Sequence, residues 1–251
     1  ISTLNTAGFK QQAKLGLLTV RFHNSNIKKV KLMSIQKYNY KFEKLTSEVL
    51  LKWATIPPAI VSDCMNRTNT MASRIAPLAS GMRLVGQART VASMVGDNSA
   101  SHAAIGMLAE GEVLVIDAKA HCDTAVWGGV MTKAALKQKI GGVVIDGAVR
   151  DASEIRALGF PTFCAGIVPT GPSKGFGGVI DDVISCGGCS VMPGDLILGD
   201  DDGISVVPLM RQQELLNASI RQLEFEEIMS ENIKKGVLPF EKFDRKIDYL
   251  D

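Results

Sequence analysis

Two uninterrupted apolar runs, Val113-Leu114-Val115-Ile116 and Val143-Val144-Ile145, stand out against the more widely spaced hydrophobic positions around them. Runs of that length are buried on both faces of a sheet. Between and around them the apolar spacing lengthens to helical steps. It predicts helices over 47–53, 59–66, 101–108, 132–139 (apolar at Ala134, Ala135 and Leu136) and 152–158. Pro57-Pro58 stops the first of these, and Gly141-Gly142 ends the fourth. A Val-, Ala- and Thr-rich stretch at 85–95 reads as a strand, and another begins at Pro161-Thr162-Phe163-Cys164. Short strands at 190–191, 196–198 and 204–207 are separated by the turns Pro193-Gly194-Asp195 and Asp200-Asp201-Asp202-Gly203. Residues 209–235 form one long charged helix with Leu215, Leu216, Ile220, Leu223 and Ile228 on its apolar side.

Strand and helix alternating at this spacing predict a single α/β domain, with antiparallel additions after residue 176. A chain of 251 residues, 46% hydrophobic and 22% charged, is long enough to build its core without disulfides or metals. Five cysteines at unpatterned positions point to a reducing compartment, read here as the cytoplasm. No apolar run approaches the ~18 residues of a membrane span. The net charge of +2 conceals an asymmetry: residues 1–45 hold nine Lys or Arg against one acid, Glu43. The rest is left with an acidic excess, which speaks against nonspecific binding to nucleic acid. The segment 1–45 therefore reads as a basic extension and 46–251 as the functional domain. Met33 is a natural start for such a chain, leaving 1–32 as leader sequence or, on composition, a transit peptide.

Two loops could carry chemistry. Trp127-Gly128-Gly129-Val130-Met131-Thr132 lies between a buried strand and a helix. Backbone amides at such a helix start suit an anion such as a carboxylate; the plain alternative is a strand-to-helix turn. Asp146-Gly147-Ala148-Val149-Arg150-Asp151 brings Arg next to Asp after a strand end, where open α/β sheets bind ligands. Arg150 can fork onto a carboxylate or keto oxygen, and Asp151 can hold a largely hydrated Mg²⁺; the plain alternative is a surface ion pair. Cys186 and Cys189 have redox spacing but no second pair, and His102 and His121 belong to no metal motif. The glycine-rich stretch 171–178 matches neither the dinucleotide nor the phosphate-loop pattern.

Taken in order, Pro58-Ala59-Ile60-Val61-Ser62-Asp63, Trp127-Gly128-Gly129, Val144 through Asp151, and Pro193-Gly194-Asp195 through Asp202-Gly203 to Pro208 resemble one family. It is the superfamily of 4-hydroxy-4-methyl-2-oxoglutarate aldolases and regulators of ribonuclease activity A, and the likeness covers roughly residues 45–240. The resemblance implies a swivelling β/β/α domain with a long C-terminal helix, assembled as a homotrimer or a hexamer. It implies cleavage of small 2-keto acids to pyruvate with Mg²⁺ or Mn²⁺, by aldol cleavage or oxaloacetate decarboxylation. Gly128, Gly129, Val130 and Met131 would hold the pyruvyl carboxylate, Arg150 would contact the same unit, and Asp151 would bind the metal. Glu226, with Glu227 as the fallback, would supply an outer acid from a neighbouring subunit. The alternative within the same kinship is a regulator that binds a ribonuclease or helicase. One departure stands out: these aldolases typically carry Asp or Glu where this chain has Gly129, so the surroundings of the metal are expected to lack one acid.

Overall fold

A computed structural model describes residues 34–239. The leader reading of residues 1–32 lies outside them. A parallel core runs β3 (Leu84–Ser93), β4 (Val113–Trp127), β5 (Gly142–Val149), β6 (Thr162–Ile167), with neighbours in sequence also neighbours in the sheet. The connecting helices are α3 (Ser99–Ile105), α4 (Gly129–Lys137) and α5 (Ala152–Ala157). Right-handed crossovers between sequential strands place all three on one face.

The alternation along β4 and β5 matches that layering. Leu114, Ile116, Val143 and Ile145 pack with Ala104, Ala135 and Ile155 of the helices. Val113, Val115 and Val144 point the other way, against Ile184 and Val191 of the hairpin β8 (Ile184–Cys186) and β9 (Cys189–Val191), and against Ile197 and Val206. The last two belong to β10 (Leu196–Asp200) and β11 (Gly203–Val207), antiparallel strands added beside β3. Two-sided burial is why these strands read as continuous apolar runs. A third cluster joins α1 (Ser47–Trp53) and α2 (Pro58–Cys64) to Leu215 and Leu216 of the 23-residue α6 (Gln212–Lys234).

The fold expected from the sequence, α/β with a long final helix and antiparallel strands after residue 176, is the one observed. Four small strands lay below the reach of the pattern: β1 (Ile35–Lys37), β2 (Ala76–Pro77), β7 (Gly178–Ile180) and β8. Each has three residues or fewer. The run at 113–116 is also the start of a much longer strand. β4 has 15 residues and keeps its pairing to β5 through three register shifts, between Asp117 and Trp127.

The described part of the basic segment packs on the domain. β1 pairs in parallel with β7, and Phe42 covers Gly194, where a β-carbon would lie 2.6 Å from its ring. Lys37 reaches Asp181 at 3.0 Å and Lys44 pairs with Glu112, two acids that are almost fully buried. Arg89 links these acids, bonding both oxygens of Asp181 at 2.7 and 2.6 Å and Glu112 at 3.3 Å. Lys37 and Lys44, part of the basic extension read from the charge balance, thus neutralise acids of the domain.

Burial alone would raise the Asp181 carboxyl pKa, but hydrogen bonds from Arg89 and Lys37, and their charges, bring it below the usual range. A depressed carboxylate pKa stabilises the fold above the unfolded value of about 3.9 and loses that contribution as pH falls through the folded value. Asp181→Asn keeps the shape and tolerates the left-handed backbone there (φ +61°). It should cost about 3 kcal/mol at neutral pH, the low end for a broken buried pair, because Arg89 retains Glu112. Urea denaturation should show the gap to the unsubstituted protein closing as pH drops below about 4.

Candidate active site

β5 ends at Val149, and the chain turns through Arg150 and Asp151 into α5. Asp151 holds a left-handed backbone (φ +57°, ψ +34°) and gives no side-chain cap to its own helix. The turn sends its carboxylate across to the neighbouring strand end instead, where Oδ2 accepts the Gly129 N–H at 3.0 Å. A non-glycine residue in this region costs about 1–3 kcal/mol and persists where surrounding structure enforces it.

The facing turn is built from the end of β4. Trp127 is buried, lies parallel to Phe160 with ring centres 6.3 Å apart, and donates from Nε1 to Thr132 Oγ1 at 2.8 Å. Thr132 in turn donates to the Gly128 carbonyl from both its backbone nitrogen (3.0 Å) and its hydroxyl (3.2 Å). This fixes the first turn of α4. A helix cannot satisfy its first amides internally. Asp151 takes that of Gly129, leaving the amides of Val130 and Met131 as the pair available to an anion.

The two glycines stand directly against charged side chains. A β-carbon on Gly128 would lie 2.8 Å from Asp151 Oδ2 and 3.1 Å from Arg150 Cγ. One on Gly129 would fall on the Glu154 carboxylate, whose Oε1 is 2.6 Å from Lys133 Nζ. The space that a side chain at 129 would enter is filled by Glu154, one helical turn after Asp151. The signal was in the sequence, since residues three apart share a helix face.

Around this turn lies a hollow of about 140 Å³. Gly128, Val130, Met131, Arg150 and Asp151 line it, five of the residues expected from the two loops; Gly129 is not in the lining, though its amide is held by Asp151. Arg150 Nε stands 3.6 Å from Asp151 Oδ2, and a β-carbon on Gly171 would lie 2.6 Å from Arg150 Nη1, so the guanidinium lies close over that glycine. Trp127, Asn98, His102, Pro172 and Lys174 complete the lining; sequence reasoning gave the last four no role. Glu226 is not part of it. It sits half-buried on α6, accepting from Gln222 at 3.0 Å. His121 is also elsewhere, on the irregular part of β4 beside Thr124. Cys186 and Cys189 face each other across the β8–β9 turn, and both are buried. Burial pushes the Cys189 thiol up to about 11 and raises Cys186 as well, which leaves both unreactive near neutral pH.

A family model for RraA-like proteins, described as Aldolase/RraA, matches residues 58–206, the stretch that contains both site turns. The chain belongs to the RraA-like family. A relative from Halalkalibacterium halodurans, provisionally named a 4-hydroxy-4-methyl-2-oxoglutarate aldolase, is 35% identical over 200 residues, covering 80% of this chain and 95% of its own. Among solved structures, an uncharacterised protein of Pseudomonas syringae superposes with a TM-score of 0.71 at 26% identity, over 80% of this chain and 95% of that one. Streptomyces coelicolor RraAS2, titled an unusual member of the RNase ES inhibitor RraA family, gives 0.69 at 28% identity, over 75% and 98%. The RraA-like fold is thus shared with proteins whose names point to an aldolase and to an inhibitor.

Among the described residues no three His, Cys, Asp or Glu side chains cluster as a complete metal cage. Mg²⁺ does not require one, since it is commonly held by one or two carboxylates with water in the remaining positions. Asp151 and Glu154, both aimed at the glycine turn, suit such a hard, oxygen-loving ion. Asp151→Asn should therefore keep its melting temperature, because Asn tolerates the left-handed turn and can still accept from Gly129, yet lose Mn²⁺ binding measured by calorimetry. Gly129→Ala should displace only the flexible end of Glu154, shifting stability by less than about 1 kcal/mol. Its Mn²⁺ affinity should nevertheless fall by about 10–100-fold, the usual effect of losing a metal's supporting partner.

Proposed function

We propose that this RraA-like protein is a divalent-metal-dependent carbon–carbon lyase that releases pyruvate from small 2-keto acids. The observation that carries the reading is the convergence on one small hollow of two free helix amides, a guanidinium and the Asp151 carboxylate. In this reading the carboxylate of the keto acid lies on the Val130 and Met131 amides, where the helix dipole favours negative charge. Arg150 bonds the keto oxygen. When the bond beyond C3 breaks, by aldol cleavage with the C4 hydroxyl losing its proton to water as it becomes a carbonyl, or by loss of CO₂, its electron pair moves into the pyruvyl unit and leaves an enolate. Arg150 stabilises the charge that accumulates on that oxygen, and a proton from water at C3 then gives pyruvate. A Mg²⁺ or Mn²⁺ ion held by Asp151, with Glu154 beside it, would add Lewis-acid stabilisation of the same charge.

The assembly follows the same logic. Phe225, Ile228 and Ile233 leave apolar surface exposed along α6, as a homotrimer or a hexamer would use. A neighbouring copy could then bring Glu226 toward the metal from outside. All five cysteines are free, consistent with a reducing cytoplasmic setting. The second reading, a regulator that binds a ribonuclease, is favoured by the likeness to RraAS2. A protein of that kind has no use for Arg150 and Asp151 poised over one hollow.

Pyruvate release from oxaloacetate, followed with lactate dehydrogenase, separates the two. Turnover should require Mg²⁺ or Mn²⁺ and stop with chelator; equal rates with and without chelator would remove the metal, and absence of turnover on any 2-keto acid would favour the regulator. Arg150→Lys should lower kcat/KM by about 100-fold or more, because a point ammonium cannot reproduce the planar fork on the developing oxyanion.

A further inference from the structure

Thr132 is fully buried in the first turn of α4 and takes no part in the lining of the hollow. Its hydroxyl donates to the carbonyl of Gly128, four residues back, at 3.2 Å. Threonines inside helices often fold back in this way with no wider consequence. Here the hydroxyl is also met from the other side, because Trp127 Nε1 reaches Thr132 Oγ1 at 2.8 Å. An indole N–H can only donate, so Oγ1 must accept there and its proton is left for the Gly128 carbonyl. That fixes the direction of both bonds. The indole end is anchored, since Trp127 is 1% exposed and lies against Phe160, which is equally buried.

The direction matters because the Gly128 carbonyl and the Gly129 N–H belong to one peptide group. Its oxygen receives two hydrogen bonds from Thr132, from the backbone nitrogen at 3.0 Å and from the hydroxyl at 3.2 Å. Its N–H donates to Asp151 Oδ2 at 3.0 Å. Indole, hydroxyl, peptide and carboxylate therefore form one chain of hydrogen bonds, every link donating toward Asp151. Peptide resonance moves charge from nitrogen to oxygen, so bonds to the carbonyl strengthen the N–H as a donor. The chain also restrains rotation. The peptide lies between two glycines, the residues that resist rotation of a peptide plane least. Against that freedom the hydroxyl adds a second, directed bond to the carbonyl. A carboxylate offers about four lone-pair sites, so the one engaged here orients Asp151 without exhausting it.

We propose that Thr132 is the positioning residue of the metal-holding carboxylate: its hydroxyl sets the peptide between Gly128 and Gly129, and that peptide sets Asp151 for a divalent cation. Thr132 acts only through the peptide, from behind the wall of the hollow. The proposal rests on the assignment of Asp151 as the metal's ligand and adds what holds that ligand ready. It also gives the buried indole of Trp127 a part beyond packing, as the donor that aims the hydroxyl.

The test is the Mn²⁺ affinity of the full chain, measured by calorimetry well below the melting temperature of each variant. Thr132→Val keeps the branched shape and removes the hydroxyl, whereas Thr132→Ser keeps the hydroxyl. Thr132→Val should lower Mn²⁺ affinity by about 10–100-fold, the range for losing a partner that orients a metal ligand. Thr132→Ser should stay within about threefold of the unsubstituted protein, short of that range. Removing the hydroxyl also leaves the Trp127 N–H buried without a partner, which lowers the melting temperature. Val206→Ala, a core truncation in β11, lowers it by loss of packing alone and should leave Mn²⁺ affinity unchanged. Unchanged affinity in Thr132→Val, an equal loss in Thr132→Ser, a similar loss in Val206→Ala, or no Mn²⁺ binding at the outset would overturn the proposal. Pyruvate release from oxaloacetate, followed in parallel, judges the lyase reading separately. A loss confined to Thr132→Val, in a protein that releases no pyruvate, would leave the positioning role standing and overturn the lyase. Metal-dependent turnover with Mn²⁺ affinity untouched by Thr132→Val would do the reverse.

Discussion

Asp151 can reach the Gly129 amide, 3.0 Å away, only because its own backbone enters the left-handed region as β5 gives way to α5. That single bond ties two neighbouring strand ends together and sets the geometry of the site. It occupies the first amide of α4, points the carboxylate into the hollow, and requires glycine at 128, where any side chain would press on Asp151 and Arg150. Strain of this kind survives because the elements on either side are rigid. β4 and β5 are packed on both faces, and the Trp127–Thr132–Gly128 network holds the facing turn.

Much of this could be read from the chain because the informative features are local. Val113–Ile116 and Val143–Ile145 announced strands covered on both sides, and Arg150-Asp151 and Gly128-Gly129 announced the two turns that meet. What could not be read depends on contacts between distant segments. β1 and β7 are three residues each and exist by pairing with one another and with β3. Lys37 and Lys44 could be given no partners from the sequence because Asp181 and Glu112 lie far along it. Asn98 and Lys174 likewise share a wall only because Asp97 and Asn98 bond the distant loop 171–178.

The departure at residue 129 has a counterpart in three dimensions. Read as one position, Gly129 is a lost carboxylate. Read in three dimensions, the same region of space receives Glu154 from the next helix, and glycine is the condition for its entry. The relevant unit is the volume beside the turn and the group that fills it, rather than the residue number.

The short strand at Ile35–Lys37 has a consequence for anyone shortening this protein. A version that began at Thr46, the cap of α1, would look complete by charge and by the extent of the family match. It would also uncover the outer backbone row of Gly178–Ile180 and bare the surface of Gly194 now shielded by Phe42. An unpaired sheet edge is a template for pairing with other chains. Such a truncated protein would recruit neighbours through its backbone, and the resulting self-association could be mistaken for natural assembly.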